Sequence, residues 1–128
     1  MRLRSTSVSL TVVLAGVLGV TAPAQAAASD CASGYFCIFT NKSHLGTMTT
    51  IAGGLCVNNY GSANDKASSV WNNTDRGVRF YQDTNQGGKY IHINPHDGRG
   101  DLSSVLIYNA DGSVFGTNTM NDRISSAC

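Results

Sequence analysis

The hexapeptide Asn64-Asp65-Lys66-Ala67-Ser68-Ser69 returns as Asn121-Asp122-Arg123-Ile124-Ser125-Ser126. A chain that carries the same bend twice is built from two copies of one unit. Only eight acidic side chains, all Asp, stand among the 128 residues, so a matched Asn-Asp-x-x-Ser-Ser pair does not follow from composition. Ser and Asp at these positions can simply fold back on the backbone as turn formers. Each copy also sets a carboxylate (Asp65, Asp122), a third-residue carbonyl (Lys66, Arg123) and a fifth-residue hydroxyl (Ser68, Ser125) on one tight bend. Those oxygen donors suit a hard cation such as calcium. Turn-building and calcium binding both remain open on the residues alone.

A second repeat supports the first. Phe39 to Gly46 and Tyr81 to Gly88 each run from an aromatic to a glycine seven residues on, and the two glycines lie 42 residues apart. A glycine at the end of a hairpin supplies positive φ. Short β-prone runs fill the space between turn residues: Tyr35 to Thr40, Gly46 to Ile51, Ser68 to Trp71, Gly77 to Gln82, Lys89 to Ile93 and Val105 to Tyr108. No window carries a capped helical period, and twelve of the fourteen glycines punctuate the runs from Gly34 onwards, which predicts an all-β sandwich or barrel with at most single helical turns. Asp111-Gly112 between apolar runs predicts a hairpin. The chain divides into unit one, about 35–71, and unit two, about 78–128.

Arg2 and Arg4, an apolar run from Val8 to Val20, and then Ala22-Pro23-Ala24-Gln25-Ala26 follow the order of a secretory signal peptide. Residues 1–28 are therefore expected to be a leader, cleaved after Ala26 or Ala28, and residues 29–128 one secreted domain. The apolar run is shorter than the roughly 20 residues that a bilayer span requires. Without Arg2 and Arg4, seven of the nine basic side chains face eight acidic ones, a formal charge of −1. Such a surface has no electrostatic reason to bind nucleic acid or an anionic membrane. An even set of cysteines, Cys31, Cys37, Cys56 and Cys128, in a small exported domain implies two disulfides. Three pairings are open; Cys31 with Cys37 and Cys56 with Cys128 is favoured, because a cysteine at the last position can tie the terminus down.

With these residues in place, the chain resembles the βγ-crystallin superfamily, whose Greek-key motifs carry an aromatic-glycine hairpin and an (Asn/Asp)-(Asn/Asp)-x-x-(Ser/Thr)-Ser calcium clamp. More narrowly, Cys31-x-x-Gly-Tyr-Phe-Cys37, Asn64 to Asn72, Phe80 to Asn85 and Asn121 to Ser126 look like the exported actinobacterial metalloproteinase-inhibitor-like proteins of the thirty-sixth peptidase-inhibitor family. The resemblance implies two Greek-key motifs in a disulfide-stapled βγ-crystallin-like sandwich. It also implies swapped calcium sites, Lys66 and Ser68 with Asp122, and Arg123 and Ser125 with Asp65, completed by carbonyls near Asn41 and Asp83. One carboxylate per ion implies weak, structural binding, about 10⁻⁴ to 10⁻³ M. The chain departs from the pattern at the hairpin aromatic, where it has His44 and Gln86, and by an insertion between Pro95 and Met120.

The function implied is a monomeric secreted inhibitor that blocks an extracellular protease, a metalloproteinase, by tight binding of a rigid loop. Such a loop must be exposed and held extended, so that docking costs little ordering entropy. Gly53 to Gly61 meets that description: Cys56 pins it, and Leu55 and Val57 are apolar anchors. Ala110 to Asn118, with Val114 and Phe115, is a second candidate. The alternatives are a calcium-binding crystallin-like structural or stress module and a killer-toxin-like secreted protein. An enzyme is not expected. There is no Glu, no Gly-x-Ser-x-Gly elbow, and His92 and His96 sit on a strand leading into Pro95 rather than on one helical face. Arg99-Gly100-Asp101 reads as an ordinary loop, and Asn41-Lys-Ser43 and Asn72-Asn-Thr74 are glycosylation sequons in form.

Overall fold

The computed structural model describes residues 26–128, so all but the last three residues of the expected leader lie outside the described residues. Among the described residues no helix is long and apolar enough to cross a membrane. The strands are β1 (Tyr35–Asn41), β2 (Leu45–Ala52), β3 (Ser69–Asn73), β4 (Val78–Asp83), β5 (Gly87–Ile93), β6 (Asp97–Arg99), β7 (Val105–Tyr108), β8 (Val114–Asn118) and β9 (Ser126–Ala127). They form two antiparallel sheets, ordered β2-β1-β3-β6 and β8-β7-β5-β4-β9. Among the described residues the helical content is three single turns of three residues each.

Strand β1 shows why the sequence runs continuously apolar there. Successive side chains point to opposite faces of a strand, and both faces of β1 are covered. Phe36 and Ile38 enter the main core with Phe80, Ile91, Leu102 and Ile124. Cys37 and Phe39 pack with Cys31 in a second cluster beneath Trp71. Phe36 meets Phe80 edge to face, with centroids 5.8 Å apart, so the two sheets touch through one ring from each unit.

The two units exchange their third strands. β6 of unit two pairs with β3 of unit one, Asn72 opposite Asp97, and Val57 of unit one forms a single antiparallel bridge with Ala127 of unit two. The insertion seen in the sequence is the β7–β8 hairpin, which joins the sheet of unit two through Tyr108 opposite Tyr90. That hairpin accounts for five strands in one sheet against four in the other. β6 carries no β-prone residue and was not expected. It exists because Gly98 lies directly against the Trp71 ring, where any Cβ would strike the indole. Arg99, expected in a loop, therefore belongs to a strand.

Asn72, a sequon in form, is fully buried and is no acceptor for a glycan in the folded chain. Its amide donates to the carbonyls of Arg76 (2.7 Å), Asn94 (3.0 Å) and Ile93 (3.2 Å), while its Oδ1 accepts from the Thr74 hydroxyl at 2.6 Å and the Thr74 N–H at 3.1 Å. One side chain thus closes the turn between the units. Asn72→Ala leaves those buried partners unpaired and is expected to cost about 3 kcal/mol in urea unfolding.

Candidate functional site

The twin hexapeptides meet. Asp65 N–H donates to the Ile124 carbonyl at 3.0 Å, and Asp122 N–H donates to the Ala67 carbonyl at 2.8 Å. Each clamp is thus fastened to the equivalent residue of the other. Asp65 and Asp122 both have φ of 54°, a left-handed conformation that Asp tolerates better than most residues. The Ser125 hydroxyl donates to Asp65 Oδ1 across the interface at 3.0 Å, which joins two of the donors expected in one cation site. Asp65, Gln82, Asp83, Asp122 and Arg123 line one concavity beside them. In the other copy, Asp122 instead accepts from the Asn121 amide at 3.0 Å, and Ser68 is buried. The Asn121 Oδ1 is itself buried without a partner. Oxygen donors with one orphaned acceptor fit calcium; among the described residues no three His, Cys or acidic side chains lie close enough together to hold a metal by themselves, so carbonyls, hydroxyls and water would complete any shell.

His44 and Gln86, the departures from the hairpin pattern, both hold structure. The His44 ring stands edge-on between Phe39 (5.3 Å) and Trp71 (5.6 Å), with Nε2 at 3.0 Å from the Val70 carbonyl. It fills the corner that the aromatic would occupy. Gln86 reaches elsewhere, its amide donating to the Val57 carbonyl at 3.0 Å. Behind these corners, Ser69 and Ser126 hydroxyls bond to the Asn41 and Asp83 carbonyls at 2.6 and 2.5 Å. These two carbonyls, expected to face an ion, thus already accept from the clamp serines.

Gln86 is one of several braces on the segment from Gly53 to Gly61. Cys56 is joined to Cys128, and Cys31 to Cys37. Val57 exchanges both main-chain hydrogen bonds with Ala127, at 2.9 and 3.0 Å. Arg76 donates from Nη2 to the Leu55 carbonyl at 3.3 Å and from Nε to that of Gly53. Asn85 N–H donates to the Asn58 carbonyl at 2.8 Å, and Tyr60 is buried in the core. Burial pushes the Tyr60 phenol far above its ordinary pKa. Five separate attachments leave Leu55 61% exposed at the crest. Val57 is half-buried against the core, so its side chain is shared between the fold and the surface.

The second expected loop is the β7–β8 hairpin, where Val114 (62%) and Phe115 (48%) are exposed. Its turn is held by Asp111, which accepts from the Ser113 hydroxyl and N–H, bonds that lower the Asp111 pKa. His96 bonds Asn73 and Asp75, and the exposed His92 lies over Gly77. The braces from Arg76, Gln86 and Asn85 had no local sequence signal, because each joins residues more than twenty positions apart.

Two Greek-key units with crossed third strands define a βγ-crystallin-type sandwich that bears an exposed, multiply anchored segment. A solved structure from work on the evolution of the eye lens beta-gamma-crystallin domain fold matches with a TM-score of 0.57 and 21% sequence identity. The match covers 75% of this chain and 84% of that one, and the likeness establishes the fold. No curated protein matches the chain. The model of peptidase inhibitor family I36 matches residues 24–93, more than half of the chain and the whole of the braced segment. The chain belongs to peptidase inhibitor family I36; it is a peptidase inhibitor and not an enzyme.

Proposed function

We propose that the chain is a secreted monomer that blocks an extracellular metalloproteinase by tight binding of Leu55-Cys56-Val57. The observation that carries this reading is the exposed Leu55 on a segment braced by Arg76, Gln86, Val57–Ala127 and Cys56–Cys128. A segment already held in one shape loses little conformational entropy on docking. It is also a poor substrate, because its ends cannot separate after attack. An apolar residue just after Cys56 suits a cleft that favours an apolar side chain beyond the scissile bond, and Val57 stands there. The deciding experiment is an inhibition panel with thermolysin-like, subtilisin-like and trypsin-like enzymes. Inhibition of the first at nanomolar concentration is expected, and full activity of all three in micromolar protein would refute it. Growth arrest of cells without inhibition would favour a toxin instead.

Calcium belongs to the same reading as a structural staple between the units. The Asp65 carboxylate, the Ser125 hydroxyl and the Arg123 carbonyl are the residues that would hold it, beside the concavity at Asp83. With a Kd near 1 mM, 10 mM calcium would add about 1.4 kcal/mol to stability, raising Tm by roughly 5–10 °C. Scanning calorimetry of wild type and Asp65→Ala measures this directly. The calcium increment is expected to vanish in the variant, and an equal increment in both would remove the clamp assignment.

A further inference from the structure

We propose that the outer face of the five-stranded sheet, next to the inhibitory segment, is a docking surface for an acidic segment of the partner protein. The partner's identity as a protease rests on the reading above; the surface itself does not.

Directly opposed residues of antiparallel strands share a face. Arg79 lies opposite His92, Tyr81 opposite Tyr90, and Tyr90 opposite Tyr108, while Phe80, Ile91, Ile93 and Ile107 enter the core. The outer face is therefore a row of tyrosines flanked by basic side chains. Tyr81 and Tyr90 are 5.4 Å apart, and Tyr90 and Tyr108 stack at 5.5 Å with planes 18° apart. The Arg79 guanidinium sits 4.7 Å from the Tyr90 ring centre. Tyr90 is itself buried beneath Arg79 and beside Gly112, so the half-buried Tyr81 and Tyr108 flank it at the surface. Two shallow hollows share His92 and Tyr108. One, of about 180 Å³, reaches Arg99 and Leu106; the other, of about 210 Å³, is closed by Arg79 and Gly112.

Arg79 and His92 are free to receive an incoming anion: among the described residues neither has a carboxylate partner. The nearby acids are already engaged: Asp97 accepts from the Gly98 N–H and from Arg99, which lower its pKa, and Asp111 is tied to Ser113. An unpaired guanidinium fork is suited to a carboxylate. The face is continuous with the inhibitory segment, because Arg79 exchanges both main-chain hydrogen bonds with Cys128, at 3.0 and 2.9 Å, and Cys128 is bonded to Cys56. The disulfide thus ties the segment that carries Leu55 to the strand paired with Arg79.

The test is titration of ¹⁵N-labelled protein with a hexa-aspartate peptide and, separately, with inorganic polyphosphate. The peptide is expected to shift amides of Arg79, His92 and Tyr108, and to bind about tenfold more weakly to Arg79→Ala/His92→Ala and in raised salt. Both side chains are exposed, so the variant folds, which its amide spectrum verifies. Leu55→Asp is expected to change peptide affinity by less than about threefold. Shifts elsewhere on the surface, unchanged binding to the double variant, or tighter capture of polyphosphate than of peptide would each overturn the proposal. Peptide binding at this face in a protein that inhibits no protease would remove the inhibitor reading and leave the surface standing.

Discussion

Placing a charge on the inhibitory segment, by Leu55→Asp or Val57→Asp, is expected to weaken protease inhibition by at least about 100-fold, a loss of roughly 2.7 kcal/mol. Truncating or charging an apolar anchor at the centre of an interface costs at least about 2 kcal/mol, because the pocket that received it stays desolvated without a partner. The two variants differ in what else they disturb. Leu55 is 61% exposed, so Leu55→Asp is expected to leave Tm unchanged. Val57 packs partly against the core, and Val57→Asp is expected to lower Tm as well. Inhibition constants paired with melting curves separate the effects. Full inhibition by a folded Leu55→Asp protein would place the inhibitory contact elsewhere, with the exposed Val114 and Phe115 next to be tried.

Removing the long disulfide, by Cys56→Ala with Cys128→Ala, is expected to have the largest effect on stability. The bond spans 72 residues of sequence, and the loop-closure entropy it removes from the unfolded chain corresponds to about 4 kcal/mol. For a domain of this size that is a fall in Tm of roughly 15–30 °C. Cys31→Ala with Cys37→Ala opens a bridge of separation 6, for which the same relation gives about 2 kcal/mol. Under the proposed inhibitory reading the long bridge also serves function, since it holds Cys56 between Leu55 and Val57. Inhibition by its double variant should therefore weaken even at temperatures where the fold survives. Calorimetry and inhibition assays on both double variants check the order; equal Tm losses would mean that the unfolded chain is constrained by something other than loop length.

The duplicated bend, the aromatic-glycine hairpins and the alternating strands were legible because each is a local pattern with a period. Six expected runs correspond to β1–β5 and β7, with ends that differ by two residues at most. β6 was not legible, since Asp97-Gly98-Arg99 becomes a strand only where Trp71 offers a surface on which nothing larger than glycine fits. The clamps were legible as donor sets, but not which donors meet. Ser125 bonds Asp65 directly while Asp122 turns to Asn121, a difference set by packing that the shared Asn-Asp-x-x-Ser-Ser pattern could not announce. The role of Asn72 was likewise hidden, because a sequon and a buried hub look the same until three carbonyls converge on the amide.

Read alone, the sequence determined the doubled β architecture, the disulfide-dependent character and the kinship with inhibitors, since repeats, cysteines and hairpin residues act within short stretches of chain. Only the tertiary structure decided that Arg76, Gln86 and Ala127 would brace Leu55, and that Arg79, His92 and three tyrosines would share one face. Both depend on strands far apart in sequence being hydrogen-bonded in one register, and register is a property of the assembled sheet.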